Sequence, residues 1–191
     1  MKVQLYSSTI RRKEMDAVLT CLVEEKTGPG EINLRLVQSV KEFFGVSGVV
    51  ALRSPALALK YALKAFQLEK DSKIMISALA PDWQYSAIED LGYTPLVLDV
   101  SPSNALVEVE TIKQGMINGG KILLYHETSG LLPNMEEILE LGIPLIEDIS
   151  QSSLASIGEK KAGTFGVFSI LGLEERDLLT AGGGACLLAP L

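Results

Sequence analysis

The residues best suited to chemistry stand at the ends of apolar runs. "IPLIED" closes on Glu147 and Asp148, "KILLYH" closes on His126 with Glu127 behind it, and "SGVVAL" runs into Arg53, Ser54 and Pro55. A carboxylate that ends an apolar strand, as Asp148 does, can hold a protonated ring nitrogen or a ligand hydroxyl. It can equally cap a loop or a helix. Gln151 lies one turn of loop onward and can share such a ligand. His126 is the only histidine. A lone histidine near a strand end is more often a hydrogen-bonded structural residue than a catalyst, and without a second one it supports no metal site. Trp83 and Tyr85 can stack on a ring, although aromatics that begin an apolar helix usually pack. "GTFG" and "AGGGA" can cradle a phosphate or turn a hairpin, and neither is the dinucleotide fingerprint or the Walker loop.

The elements that position these residues are legible from periodicity. Met15, Val18, Leu19 and Leu22 recur at helical spacing until "KTGPGE" breaks the pattern. Leu34, Val37, Val40 and Phe44 form the stripe of a second helix that ends near Gly45. Pro55 can open the helix "ALALKYALKAF", because its missing N–H is harmless in a first turn. Strands are expected over "SGVVAL", Lys73 to Ser77, "TPLVLDV", "KILLYH" and "IPLIED". Helices are expected over Trp83 to Leu91, Val107 to Met116 and Met135 to Leu139. Short apolar strands alternating with helices predict an α/β fold of three layers, a mostly parallel mixed sheet with helices on both faces. In such sheets ligands collect beyond the carboxyl ends of the strands, where the chemical residues fall. After Asp148 the helical rhythm stops, and serine, glycine and short apolar runs predict loops, short strands and a change of strand direction.

The chain has 191 residues, 47% of them hydrophobic and 21% charged, enough to bury a real core. A formal charge of -7 offers no general attraction to nucleic acid or to an anionic membrane. Cys21 and Cys186 have the spacing of neither a metal site nor a redox pair and read as two buried, reduced thiols. "MKVQLYSSTIRRKE" turns charged before a signal-like apolar segment develops, and no run approaches the length of a membrane span, so the cytoplasm is the expected location.

Several motifs then fall in a familiar order: "SSTIRRKEMDAVLTCLVEEKTGPGE", "VKEFFGV", "ALALKYAL", "LGYTPLVLDVSP", "SGLLPNMEEI", "IPLIEDISQSS", "KKAGTFG" and "LTAGGGACL". Together they resemble the N-terminal and central part of the DegT/DnrJ/EryC1/StrS aminotransferases, sugar-nucleotide enzymes of the fold-type-I class that use pyridoxal phosphate. The resemblance implies a single, truncated large domain over residues 1–191 without the small C-terminal domain. It places Asp148 as the partner of the cofactor's pyridine nitrogen, with Gln151 beside it. The histidine that often follows falls at Ser153.

Elsewhere the resemblance implies losses. The Gly-Thr or Gly-Ser pair that helps cup the cofactor phosphate falls on Pro55 and Ala56, which removes a backbone donor and a hydroxyl and leaves Arg53 or Ser54 as a substitute contact. The ring-stacking aromatic falls around Pro81, with Trp83 nearby but offset. Matching Gly183 and Gly184 to the family's Gly-Gly puts Arg176 at the Schiff-base lysine. No alternative register supplies one, because no lysine follows Lys161. Arginine stays protonated and forms no Schiff base.

The resulting expectation is a degenerate aminotransferase-like protein without transaminase activity, serving as a scaffold or partner and self-associating, as a dimer for example. Two alternatives stand beside it. One is a pyridoxal-phosphate sugar aminotransferase active only with a complementary C-terminal subunit. The other is a non-covalent binder of pyridoxamine phosphate or a nucleotide sugar.

Overall fold

The computed structural model describes residue 7 and residues 9–190. Of the opening residues read above for a signal segment, 1–6 and 8 lie outside them. The elements are helices α1 (Arg12–Val23) and α2 (Glu31–Phe44), strand β1 (Gly48–Leu52), α3 (Pro55–Ala65), β2 (Lys73–Ser77), α4 (Asp82–Glu89), β3 (Thr94–Leu98), α5 (Val109–Ile117) and β4 (Gly120–His126). A single 3-10 turn (Thr128–Gly130) and α6 (Met135–Glu140) lead to β5 (Leu145–Asp148). The hairpin β6 (Ser156–Ile157) and β7 (Lys160–Lys161) follows, then β8 (Phe168–Gly172) and β9 (Ala185–Ala189).

Seven strands form one sheet in the order β1-β9-β8-β5-β4-β2-β3. Pairing is parallel from β8 across β5, β4 and β2 to β3, while β9 is antiparallel to both β8 and β1. The change of direction expected after Asp148 is therefore one reversed strand. Residue parity along the strands sets the two faces. Ile74, Ile76, Ile122, Leu124, Ile146 and Ile170 pack under α3 and α4. Met75, Leu123, Tyr125 and Leu145 point the other way, against α5 and α6. A third cluster packs α2 through Val40 and Phe44 onto Leu171, Cys186 and Leu188. Runs apolar at both parities are what a sheet covered on both sides requires.

Helix ends follow local chemistry. Ser54 Oγ accepts from Leu57 N at 3.3 Å and Pro55 occupies the first turn of α3. Gly45, at φ 69°, closes α2 in the left-handed conformation. Of the two thiols, Cys186 is buried and Cys21 only half-buried, because α1 buries none of its residues. Among the described residues no helix is long and apolar enough to cross a membrane.

"AGGGA" is the return of a hairpin loop between β8 and β9. Gly182, Gly183 and Gly184 have φ of 80°, 143° and 103°, so three successive residues occupy conformations that side chains rarely adopt. Bonds across the turn join it to Leu173: Ala181 N and Gly183 N donate to the Leu173 carbonyl at 2.9 and 3.2 Å, and Leu173 N donates to the Gly184 carbonyl at 3.0 Å. Gly183→Ala is expected to lower stability by about 1–3 kcal/mol in urea denaturation. Gly28→Ala, at a glycine with open space around it and no positive φ, should change stability far less.

Candidate functional site

Asp148 ends β5 with no solvent exposure and is the centre of the polar cluster at the carboxyl edge of the sheet. Parallel pairing of β4 with β5 puts His126 in register with Asp148. Side chains at paired positions share a face, so His126 Nδ1 lies 2.9 Å from Asp148 Oδ2. A carboxylate on that side requires the hydrogen to be on Nδ1. Gln84 Nε2, from α4, donates to the same oxygen at 2.7 Å. Ser150 Oγ and Ser150 N donate to Oδ1 at 2.5 and 3.2 Å, folding the chain back as it leaves the strand. Complete burial opposes ionisation of Asp148, but the donors from His126 and Ser150 outweigh it and hold its pKa below the usual value.

Glu147 has the opposite parity and faces away from Asp148. Its oxygens accept from Gly163 N at 2.8 Å, Phe165 N at 2.8 Å and Gly166 N at 2.6 Å. The group cradled by "GTFG" is thus the protein's own carboxyl, that of Glu147. Burial raises the pKa of Glu147, and the three amides oppose the rise. Glu127 is buried beside it. Burial and then the charge of Glu147 push its pKa up to about 10, with Ser152 Oγ donating to Oε2. Glu127 Oε1 is buried without a hydrogen-bond partner.

The β8–β9 loop folds over this edge. Leu178 N donates to the Ser150 carbonyl at 3.0 Å, and Asp177 Oδ2 accepts from Glu174 N at 2.7 Å. Asp177 reaches the Asp148 cluster only because residue 172 is glycine: a Cβ there would lie 2.4 Å from Asp177 Oδ2 and 2.6 Å from Ser150 Oγ. Burial foremost, with the negative charges of Asp148 and Glu174 also contributing, raises the Asp177 pKa to about 6.

The residues singled out from sequence separate at this edge. Arg176 is exposed, and the loop side chain directed to Asp148 is Asp177. Gln151 Oε1 accepts from Ser129 N at 2.9 Å and braces the 3-10 turn. The Ser54 hydroxyl is the α3 cap. Trp83 packs against the core cluster under α3 and α4, whereas its neighbour Gln84 is the residue that reaches Asp148. Gln84 and Ser150 were missed as members of the cluster. The available signal for Gln84 was its place in the buried stripe Gln84, Ala87 and Ile88, a polar residue where an apolar one is expected. Lys160 and Lys161 lie over the rings of Phe165 and Phe43, with the Lys161 ammonium on the Phe43 carbonyl at the end of α2.

Residues 8–189 match the sequence profile of the DegT/DnrJ/EryC1/StrS aminotransferase family. The chain belongs to this family. An L-glutamine:2-deoxy-scyllo-inosose aminotransferase of Micromonospora echinospora is 24% identical over 165 residues, covering 84% of this chain and 39% of that protein. A GDP-4-keto-6-deoxy-D-mannose 3-dehydratase of Escherichia coli O55:H7 is 24% identical over 173 residues, covering 85% of this chain and 45% of that protein. Among solved structures, an aminotransferase from Psychrobacter cryohalolentis superposes with a TM-score of 0.90 at 19% identity, over 100% of this chain and 50% of that one. The E. coli 3-dehydratase with bound hydrated PLP gives 0.90 at 22% identity, over 100% and 52%. This member of the family thus has its α/β fold and spans about half the length of those solved chains.

The pH dependence of stability reports on the buried carboxyl pair. With its pKa raised from 4.5 to about 10, folded Glu127 keeps a proton that the unfolded chain has lost across that window. This group alone therefore lowers stability by about 1.4 kcal/mol per pH unit as pH rises through it. Glu127→Gln, which carries a neutral amide, is expected to be more stable than the parent at about pH 8. The advantage should shrink toward zero near pH 5, read as urea midpoints along the series.

Proposed function

We propose that this chain uses the sugar-aminotransferase fold without a covalent link to pyridoxal phosphate, and that it acts as a partner or scaffold rather than as a self-sufficient transaminase. The observation that carries the reading is the β8–β9 loop. Its residues Glu174, Glu175, Arg176 and Asp177 include no amine able to form a Schiff base, and the one turned toward Asp148 is a carboxylate.

The residues around Asp148 fit the cofactor poorly in other respects. A carboxylate that is to pair with a pyridine nitrogen needs a free, accessible oxygen. Here Oδ2 already takes Gln84 and His126, Oδ1 takes Ser150, and Asp148 has no exposure. At the start of α3, Pro55 has no amide hydrogen, Leu57 N is spent on Ser54 Oγ and Ala58 N on the Ser54 carbonyl. Only the Ala56 amide is left in that turn for a phosphate, against the several that a helix N-terminus normally presents.

A second reading, a non-covalent ligand of the pyridoxamine phosphate or nucleotide-sugar class, is favoured by buried polar atoms without partners. Gln84 Oε1, Thr128 Oγ1 and Ser153 Oγ are such atoms, and a ligand that turned the Gln84 amide away from Asp148 would give them bonding opportunities.

Incubation with equimolar pyridoxal phosphate, borohydride reduction and peptide mass spectrometry should yield no stoichiometric lysyl adduct. One adduct at a single lysine with unit stoichiometry would overturn the primary reading. Calorimetry with pyridoxamine phosphate separates the second: saturable heat that Gln84→Leu abolishes supports a non-covalent site, and a flat titration removes it.

A further inference from the structure

We propose that the tip of the β8–β9 loop, residues 174–180, is an acid-tightened latch on the Asp148 edge. Asp177 docks it as a neutral carboxyl, and ionisation of Asp177 loosens it while the neck of the loop stays closed.

Neck and tip are held by different means. Leu173 packs with the third core cluster, and its carbonyl and amide bond Ala181, Gly183 and Gly184 across the neck. Beyond the neck, Leu178 and Leu179 are 42% and 37% exposed, so apolar burial holds the tip weakly. Leu178 N donates to the Ser150 carbonyl and Thr180 N to Thr9 Oγ1, both at 3.0 Å. The side chain that seats the tip is that of Asp177. It lodges over Gly172, where a Cβ would fall 2.4 Å from Asp177 Oδ2 and 2.6 Å from Ser150 Oγ. A segment with few apolar contacts and a polar anchor opens locally, at a free energy well below that of the whole fold.

The anchor seats where an anion gains nothing new. The donors of the sheet edge around it are committed: Ser150 Oγ donates to Asp148 Oδ1 at 2.5 Å, Gly172 N to Ser150 Oγ at 3.0 Å, and the His126 Nδ1 hydrogen lies on Asp148 Oδ2. Glu174 N donates to Asp177 Oδ2 at 2.7 Å, but it belongs to the tip and travels with it. Arg176, next in the chain, stands in solvent. An ionised Asp177 therefore gives up water on docking without gaining a partner from the body, a cost that a neutral carboxyl largely escapes.

The groups that face it act in the same sense. Burial foremost, with the charges of Asp148 on β5 and Glu174 on the loop, disfavours the anion. The Glu174 amide and His126 on β4 oppose them, and the pKa is raised from 3.8 to about 6. Docking is thus strongest below about pH 4, where the carboxyl is neutral in both states, and weakens as pH rises through about 6. Release of the tip uncovers Ser150 and the cluster behind it, which makes access to Asp148 a function of pH.

Hydrogen exchange followed amide by amide by NMR from about pH 4 to about pH 7, each rate divided by its unfolded-chain rate, reads the latch directly. Protection of Leu178 N and Thr180 N is expected to fall about tenfold to a hundredfold over that range. Ala181 N at the neck and Ile149 N, which donates to the Ile170 carbonyl at 3.0 Å in the sheet, should keep theirs. Asp177→Asn keeps the shape of the anchor and cannot ionise, so protection at Leu178 N should stay near the parent's acid value throughout. Glu127→Gln removes the other raised carboxyl, and the fall at the tip should persist in it. Flat protection at Leu178 N in the parent overturns the proposal. So does a fall that survives Asp177→Asn, one that Glu127→Gln abolishes, or one that Ala181 N and Ile149 N share.

Discussion

A fully buried carboxylate, Asp148, is the constraint to which the carboxyl edge of the sheet answers. Taking an ion out of water costs several kcal/mol unless its oxygens are bonded. Each surrounding element supplies part of that compensation. The register of β4 against β5 supplies His126, the seat of α4 supplies Gln84, and the turn after β5 supplies Ser150. Ser150 is held in turn by Gly172 N at 3.0 Å, which ties β8 into the same network. A slip of one residue in β4 would turn His126 to the other face and leave Asp148 without that donor. Sheet register and charge burial therefore enforce one another.

Consecutive residues of a strand face opposite ways, so Glu147 imposes a second, independent demand on the far side. Its answer comes from backbone amides of the "GTFG" segment and a protonated Glu127 rather than from a counter-ion. The two glycine-rich stretches of the chain thereby take separate structural parts. One wraps a carboxyl of the protein and the other reverses the chain into β9. A ligand phosphate is needed for neither.

The architecture was readable because its causes are local. Apolar strands ended by charged residues, Ser54 before Pro55 and Gly45 after an amphipathic stripe all mark boundaries through short-range physics, and the strand Lys73–Ser77 has the expected bounds. The interior of the site was read less well because its partners are distant in sequence. Gln84 and Asp148 are 64 residues apart, and only the placement of α4 over the edge brings them together. Adjacent residues also differ in what they reach: Gln84, beside the core-packed Trp83, bonds Asp148, and Asp177, beside the exposed Arg176, packs at Gly172 and Ser150. One residue along a helix turns a side chain by about 100°. Family motifs locate such a loop but do not decide which of its side chains points inward.

That inward residue decides the character of the loop. A lysine near Asp148 would bring a positive charge to a buried negative one. Asp177 brings a second carboxyl instead, and burial foremost, with the charges of Asp148 and Glu174, raises its pKa from 3.8 to about 6. A carboxyl whose pKa is raised on folding stabilises the docked loop fully below its unfolded pKa and loses that contribution as pH rises toward the folded value. Near neutrality Asp177 is largely ionised, and the Glu174 amide and the hairpin bonds at Leu173 hold the loop against that repulsion. The crowd of charges before "AGGGA" divides accordingly: Asp177 turns inward, Glu174 N caps it, and Glu175 and Arg176 remain in solvent.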